Sequence, residues 1–167
     1  NLPVHPDKII VEDSNSGYEF FNAIGQENNI LCESAGGKSN IFSKLQSIGQ
    51  ETVCVIADGA AIGPEMNRLY EITERKSNIV LYFPESFEWL ILKSGLVTDG
   101  DIKTILQEPE EYIESKDYFS WERYFTKLLI ERTQDTYLQY QKTKLNPVYL
   151  HDKIKHTIIS VMQGIIL

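Results

Sequence analysis

Four short apolar runs alternate with segments of helical period, and this alternation constrains the fold more than any other feature of the chain. The first run, Lys8-Ile9-Ile10-Val11-Glu12-Asp13, ends in two acids. A short apolar run bounded by polar residues reads as a buried strand. Ser14-Asn15-Ser16-Gly17 supplies turn and N-cap residues. Tyr18, Phe21 and Ile24 then fall at helical spacing, and Gly25 is expected to close that helix. The unit repeats. Residues 29–33 read as a second strand, 34–40 as a Gly-rich turn and 41–48 as a helix ended by Gly49. Residues 52–57 read as a third strand with a loop over 58–63. Pro64 sits where a first helical turn tolerates it, and that helix is expected to reach Arg75. Residues 78–83 form the fourth run, stopped by Pro84.

Strands that alternate with helices imply an α/β domain: a mainly parallel four-stranded sheet with helices on both faces. In such sheets the ligand site lies beyond the carboxyl ends of the strands. Three loops expected there carry chemistry: Glu12-Asp13, Gly36-Gly37-Lys38-Ser39 and Asp58-Gly59. After Lys93 the pattern changes. Residues 99–107, 112–141 and 152–167 read as helical, with Asn146-Pro147 as a break. Trp121, Tyr124, Phe125, Leu128 and Leu129 have the spacing of one helix face, which is the signature of core packing. The expected organisation is an α/β domain over 1–93 and a helical extension over 94–167 packed on it.

Charge narrows the function classes. The net charge is -8, whereas a domain that holds nucleic acid mainly by its own charge is basic. Any nucleic-acid contact therefore needs a local patch or a bound cation. Cys32 and Cys54 each lie inside an apolar run and read as buried strand thiols. Without further Cys or clustered His they do not make a zinc site, and they point to a reducing, cytoplasmic setting. The polar, Pro-containing start has no signal-peptide pattern. The apolar run at 157–167 is too short for a membrane span, so no membrane partner is expected. A first residue other than Met points to a processed form or to a piece of a larger parent chain.

Two sets of residues are candidates for chemistry. Ala35-Gly36-Gly37-Lys38-Ser39 is the first. A phosphate cradle uses glycines to let backbone N–H groups approach the oxygens, and Lys for charge. The P-loop spacing asks for a first Gly at the position of Cys32, so the full pattern fails. The loop either contacts a phosphate or is a plain strand-to-helix turn. The second set is Glu12 and Asp58, at the ends of the first and third strands. Carboxylates at neighbouring strand ends can share one Mg²⁺, which prefers hard oxygen ligands, or each can simply cap the next turn.

The order Ile9-Ile10-Val11-Glu12, then Gly36-Gly37-Lys38-Ser39-Asn40-Ile41, then Val55-Ile56-Ala57-Asp58-Gly59 resembles a Toprim domain, and is most similar to the type found in OLD-family nucleases. The resemblance spans residues 7–92. It implies an acid–base or metal-binding role for Glu12 and a Mg²⁺-binding role for Asp58. It further implies an acid after the fourth strand at Glu88, or alternatively Glu85. Two of the family's acids are absent: the second Asp of Asp-x-Asp falls on Ala60, and an Asp four residues after the Glu falls on Ser16. Glu65 or Asp13 are the nearby acids that stand closest to the missing ones.

Three functions follow as expectations. The resemblance implies a Mg²⁺-dependent nuclease or phosphoryl-transfer domain, with Glu12 and Asp58 catalytic, Glu12, Asp58 and Glu88 on the metal, and Gly36, Gly37, Lys38 and Ser39 on a phosphate. The alternative is a catalytically degenerate Toprim-like module that binds a partner or a nucleotide and does no chemistry, acting as a binding or regulatory domain. The second alternative is a P-loop-like nucleotide binder. Nucleic acid and a protein partner are the candidate macromolecular ligands.

Overall fold

The structure, a computed structural model, describes residues 2–108 and 121–167. The four apolar runs form strands β1 (Lys8–Val11), β2 (Leu31–Ser34), β3 (Val53–Ile56) and β4 (Ile79–Tyr82). They make one sheet in the order β2-β1-β3-β4, and every pairing is parallel. The expected mainly parallel sheet is thus wholly parallel. In register, Val11 pairs with both Ser34 and Ile56, and Ile56 pairs with Tyr82. All four strands therefore end in one row, which sets the loops after them side by side.

Alternation along each strand divides the core. Ile9, Val11, Cys54 and Ile56 face one layer, and Ile10, Val53, Val55 and Ile79 face the other. A central parallel strand is covered on both faces, which is why β1 and β3 are continuously apolar. Helices α1 (Ser16–Glu27) and α5 (Phe87–Lys93) cover the first face. Helices α2 (Ile41–Gln46) and α4 (Met66–Arg75) cover the second. The chain runs from β1 outward to β2, then crosses back past β1 to β3. Right-handed crossovers in opposite directions place α1 and α2 on opposite faces.

Several boundaries differ from the sequence expectation. Gly25 does not end α1; the helix continues to Glu27, and Asn28 N–H closes it on the carbonyls of Ile24 and Gly25. Asn29 then takes the left-handed conformation, φ 55°. Gly25 is needed for another reason: a Cβ there would lie 2.4 Å from the Ile30 carbonyl oxygen. The expected loop at 58–63 contains a single helical turn, α3 (Gly59–Ile62), followed by a 3₁₀ turn over Gly63–Glu65.

Among the described residues beyond Lys93 the α-helices are α6 (Ile102–Gln107), α7 (Trp121–Thr133) and α8 (Asp152–Ile159). α6 begins later, and α7 and α8 end earlier, than periodicity suggests. Of the expected 112–141 helix, residues 112–120 lie outside the described residues. The part after Thr133 is turn and extended chain, where Thr133 Oγ1 accepts the Tyr140 N–H at 3.0 Å. Residues 160–167 leave the helix, and Ile165 bridges Val4 in parallel. Tyr124, Phe125, Leu128 and Leu129 are all buried, as the stripe predicts; the Trp121 side chain is outside the described set.

These segments do not form a separate core. Phe125, Leu129, Tyr149 and Ile158 belong to the same cluster as Ile9, Phe21 and Leu90. Lys155, almost fully buried, pairs with the Glu27 carboxylate of α1. Cys32 and Cys54 are free buried thiols, and burial pushes both up to about 12. Among the described residues no helix is long and apolar enough to cross a membrane.

Candidate functional site

Because the strands end level, the loops after β1, β2 and β3 converge at one edge of the sheet. The chain leaves β1 toward β2 on one side and reaches β3 on the other. The ends of β1 and β3 therefore form the topological switch point, the crevice where open α/β sheets hold ligands.

Glu12 follows β1 directly, and Asp58 stands two residues after β3. The backbone N–H of Asp58 donates to Glu12 Oε2 at 3.0 Å, and Glu12 N–H donates to the Ile56 carbonyl at 3.0 Å. The two acids line one small cleft of about 20 Å³, together with Asp13, Phe21, Pro84 and Phe87. That volume holds about one water molecule or one bare ion. Asp58 also starts the next turn, since its carbonyl accepts from the N–H groups of Ala61 and Ile62. Gly59 lets the chain pass close to the β4 exit. Its N–H donates to the Pro84 carbonyl at 2.6 Å, and a Cβ there would meet the Phe83 and Pro84 oxygens at 3.1 and 3.2 Å.

The Gly36–Ser39 loop lies beside this cleft and is bonded to it. Gly37 N–H donates to the Glu12 carbonyl at 2.8 Å, and Ser34 Oγ donates to the Asp13 carbonyl at 2.6 Å. Gly36 N–H donates to Ser34 Oγ at 3.1 Å. Both glycines have positive φ, 72° and 130°, which explains their presence at this turn. The amides a phosphate cradle would offer at Gly36 and Gly37 are thus already engaged, by Ser34 and by the Glu12 carbonyl. Lys38 Nζ donates to the Ala61 carbonyl at 2.9 Å, so it ties the loop to α3.

Glu88 is placed differently. It does not line the Glu12–Asp58 cleft. It sits on α5, 2% exposed, where Tyr140 O–H donates to its Oε1 at 2.9 Å. Burial raises its pKa above the ordinary 4.5, against the opposing effects of its own backbone, Lys142, Tyr140 and Thr126. Ser16, at one position where the resemblance leads one to expect an acid, is fully buried. Its Oγ donates to the Gln141 carbonyl at 2.6 Å, and its N–H to the Lys142 carbonyl at 2.9 Å. Sequence reasoning missed Tyr140 as part of this region, and it did not foresee the bonds of Ser16 to the 141–142 carbonyls; only the fold joins them.

The donor set can be compared with Mg²⁺. That ion keeps several waters and takes one or two carboxylates from protein, with substrate phosphates completing its shell. Glu12 and Asp58 supply that number from adjacent strand ends. Among the described residues no group of three or more His, Cys, Asp or Glu is gathered to hold a metal. The residues thus fit an ion completed by water and ligand oxygens, not a protein cage.

No family model, curated protein or solved structure matches the chain.

Proposed function

We propose that the chain is a Toprim-like domain that acts on a phosphodiester of nucleic acid with one Mg²⁺ held by Glu12 and Asp58. The observation that carries this reading is the adjacency of the two acids at the β1/β3 switch point, linked by the Asp58 N–H to Glu12 Oε2 bond. A bound Mg²⁺ would polarise the phosphodiester and lower the pKa of a water. The chain's own residues do the rest. Glu12 is oriented by the Asp58 amide, and its position beside the cleft suits it to take a proton from that water. Asp58 is held at the head of α3. Lys38, anchored at Ala61 O, would offer a positive charge to a neighbouring phosphate. The glycine amides of this loop are already engaged, which weighs against the P-loop-like nucleotide binder.

A specific observation favours a second reading, the catalytically degenerate module that binds a partner. Glu88 is committed to Tyr140 in the interior, and Ser16 and Ala60 stand where the resemblance leads one to expect acids. Two carboxylates then bind a ligand without turning it over.

One experiment separates the two. Mn²⁺ is titrated by calorimetry into wild type, Glu12→Gln and Asp58→Asn, and single-stranded DNA, duplex DNA and RNA are assayed with the same proteins. Catalysis requires metal-dependent cleavage that both variants lose. Metal binding without cleavage selects the binding module. Absence of metal-dependent heat in wild type removes the Mg²⁺ reading.

A further inference from the structure

Glu88 and Ser16 occupy two of the places where the resemblance leads one to expect metal-site acids, and both are spent on one buried strap. Tyr140 O–H donates to Glu88 Oε1 at 2.9 Å, and its ring lies 6.4 Å from Phe87. The next two residues hold the start of α1: the Gln141 carbonyl accepts from Ser16 Oγ at 2.6 Å, and the Lys142 carbonyl from Ser16 N–H at 2.9 Å. Ser16 is four residues after Glu12. Asp13, between them, accepts the Asn15 N–H at 3.1 Å and lines the cleft. On the other side of the loop, Phe87 carbons would lie 3.3 Å from a Cβ at Gly17.

We infer that Glu88 is a positioning residue. Through Tyr140 and the 140–142 segment it fixes the β1–α1 loop that carries Glu12 and Asp13, so the C-terminal part of the chain completes the site. This rests on the reading of Glu12 and Asp58 as the ligand-binding pair.

Three features support it. A buried carboxyl is retained only with partners, since burying it without them is costly. Glu88 has Tyr140 and Thr126 as hydrogen-bonding neighbours and the Lys142 charge nearby, while Tyr140 is also influenced by Ser16 and Asp13. The strap is polar at both ends and buried at both ends, with Ser16 at 0% and Glu88 at 2% exposure. The first turn of α1 needs acceptors for its unpaired N–H groups. Asn15, at the N-cap, gives no side-chain bond, and the Lys142 carbonyl takes the Ser16 N–H instead. The loop is therefore bonded to a segment more than a hundred residues away in sequence.

The test uses the full chain with Glu88→Gln, Glu88→Ala and Tyr140→Phe, and reads two quantities. The first is Mn²⁺ affinity. Residues that orient ligands without touching the metal change affinity by about 10–100-fold when removed. Glu88→Ala and Tyr140→Phe should weaken Mn²⁺ at least about tenfold on that basis, with the double variant no worse than either single one. Glu88→Gln keeps the acceptor for Tyr140 and should stay within about threefold. The second is amide hydrogen exchange over residues 12–17 without metal. It should quicken in Glu88→Ala and Tyr140→Phe and not in Glu88→Gln. Equal loss of Mn²⁺ affinity in Glu88→Gln and Glu88→Ala would make Glu88 a ligand and overturn the inference. Unchanged exchange over 12–17 in both Glu88→Ala and Tyr140→Phe overturns it as well. If wild type binds no Mn²⁺, the reading of Glu12 and Asp58 fails, and the exchange measurement still decides whether Glu88 positions the loop.

Discussion

The Asp58 backbone N–H donates to the Glu12 carboxylate at 3.0 Å across the β1/β3 switch point, so one carboxylate is both a candidate ligand and a structural acceptor. Its two roles respond differently to substitution. Glu12→Gln keeps an oxygen for the Asp58 N–H and removes the charge. Glu12→Ala removes both and leaves a partly buried donor unsatisfied, which costs about 1–3 kcal/mol. Glu12→Gln is therefore expected to melt close to wild type and to lose Mn²⁺ binding, while Glu12→Ala loses both. Thermal unfolding beside calorimetry checks this. A Glu12→Ala protein as stable as wild type would mean that the hydrogen bond contributes nothing.

Gly25 gives a test of the fold itself. In the interior of α1, Ala is favoured over Gly by about 1 kcal/mol from propensity alone. The added Cβ, however, would lie 2.4 Å from the Ile30 carbonyl oxygen, a backbone atom that cannot rotate aside. Overpacking costs about 1–3 kcal/mol, and a rigid neighbour places this site at the upper end. Gly25→Ala is expected to destabilise by about 2 kcal/mol, net of propensity, with Tm lower by roughly 2–4 °C per kcal/mol. A rise in Tm would show that the approach of residue 30 to α1 is wrong.

The sheet was legible because each strand is a continuous apolar run followed by turn residues. Strand ends fell within a residue or two, since Pro84 and the acids at 12 and 58 mark them chemically. The end of α1 was not legible. Gly25 looks like a terminator, yet it serves a close backbone approach that only the packed β2 segment creates. That Glu12 and Asp58 share one edge was legible from their places at strand ends, but that β1 and β3 are neighbours is set by the sheet order β2-β1-β3-β4. The partners of Glu88 and Ser16 were not legible, because Tyr140, Gln141 and Lys142 lie in irregular chain with no periodic signal. Helices after Lys93 were overextended for the same reason: apolar residues at 134–141 and 160–167 pack on the core from turns and extended chain, where helical spacing carries no meaning.

The two thiols report on core integrity. Cys54 is fully buried in β3 and Cys32 nearly so in β2, and burial pushes the pKa of both thiols up to about 12. The thiolate is the reactive species. A disulfide reagent at pH 8 is expected to label neither residue in the native protein and both once denaturant unfolds it. Rapid native labelling of either one would place that strand at the surface.

Glu88 makes stability depend on pH in a direction opposite to that of a salt-bridged acid. Its folded pKa is raised above 4.5, with burial the largest cause. Between the unfolded value and the folded one, the native state binds more protons than the unfolded state. Stability from this group is then fully present below about pH 4.5 and is lost as pH rises through the folded pKa. Glu88→Gln removes the titration and keeps an oxygen for the Tyr140 hydroxyl. The stability difference, wild type minus Glu88→Gln, is therefore expected to fall as pH rises from about 4.5 through the folded pKa of Glu88 and to level off beyond it. Urea unfolding of both proteins across that range measures it, and other carboxyl groups cancel in the difference. A flat difference would mean that Glu88 titrates alike in both states, and a rising one that the ionised form is favoured by the fold, through Lys142 or a bound cation.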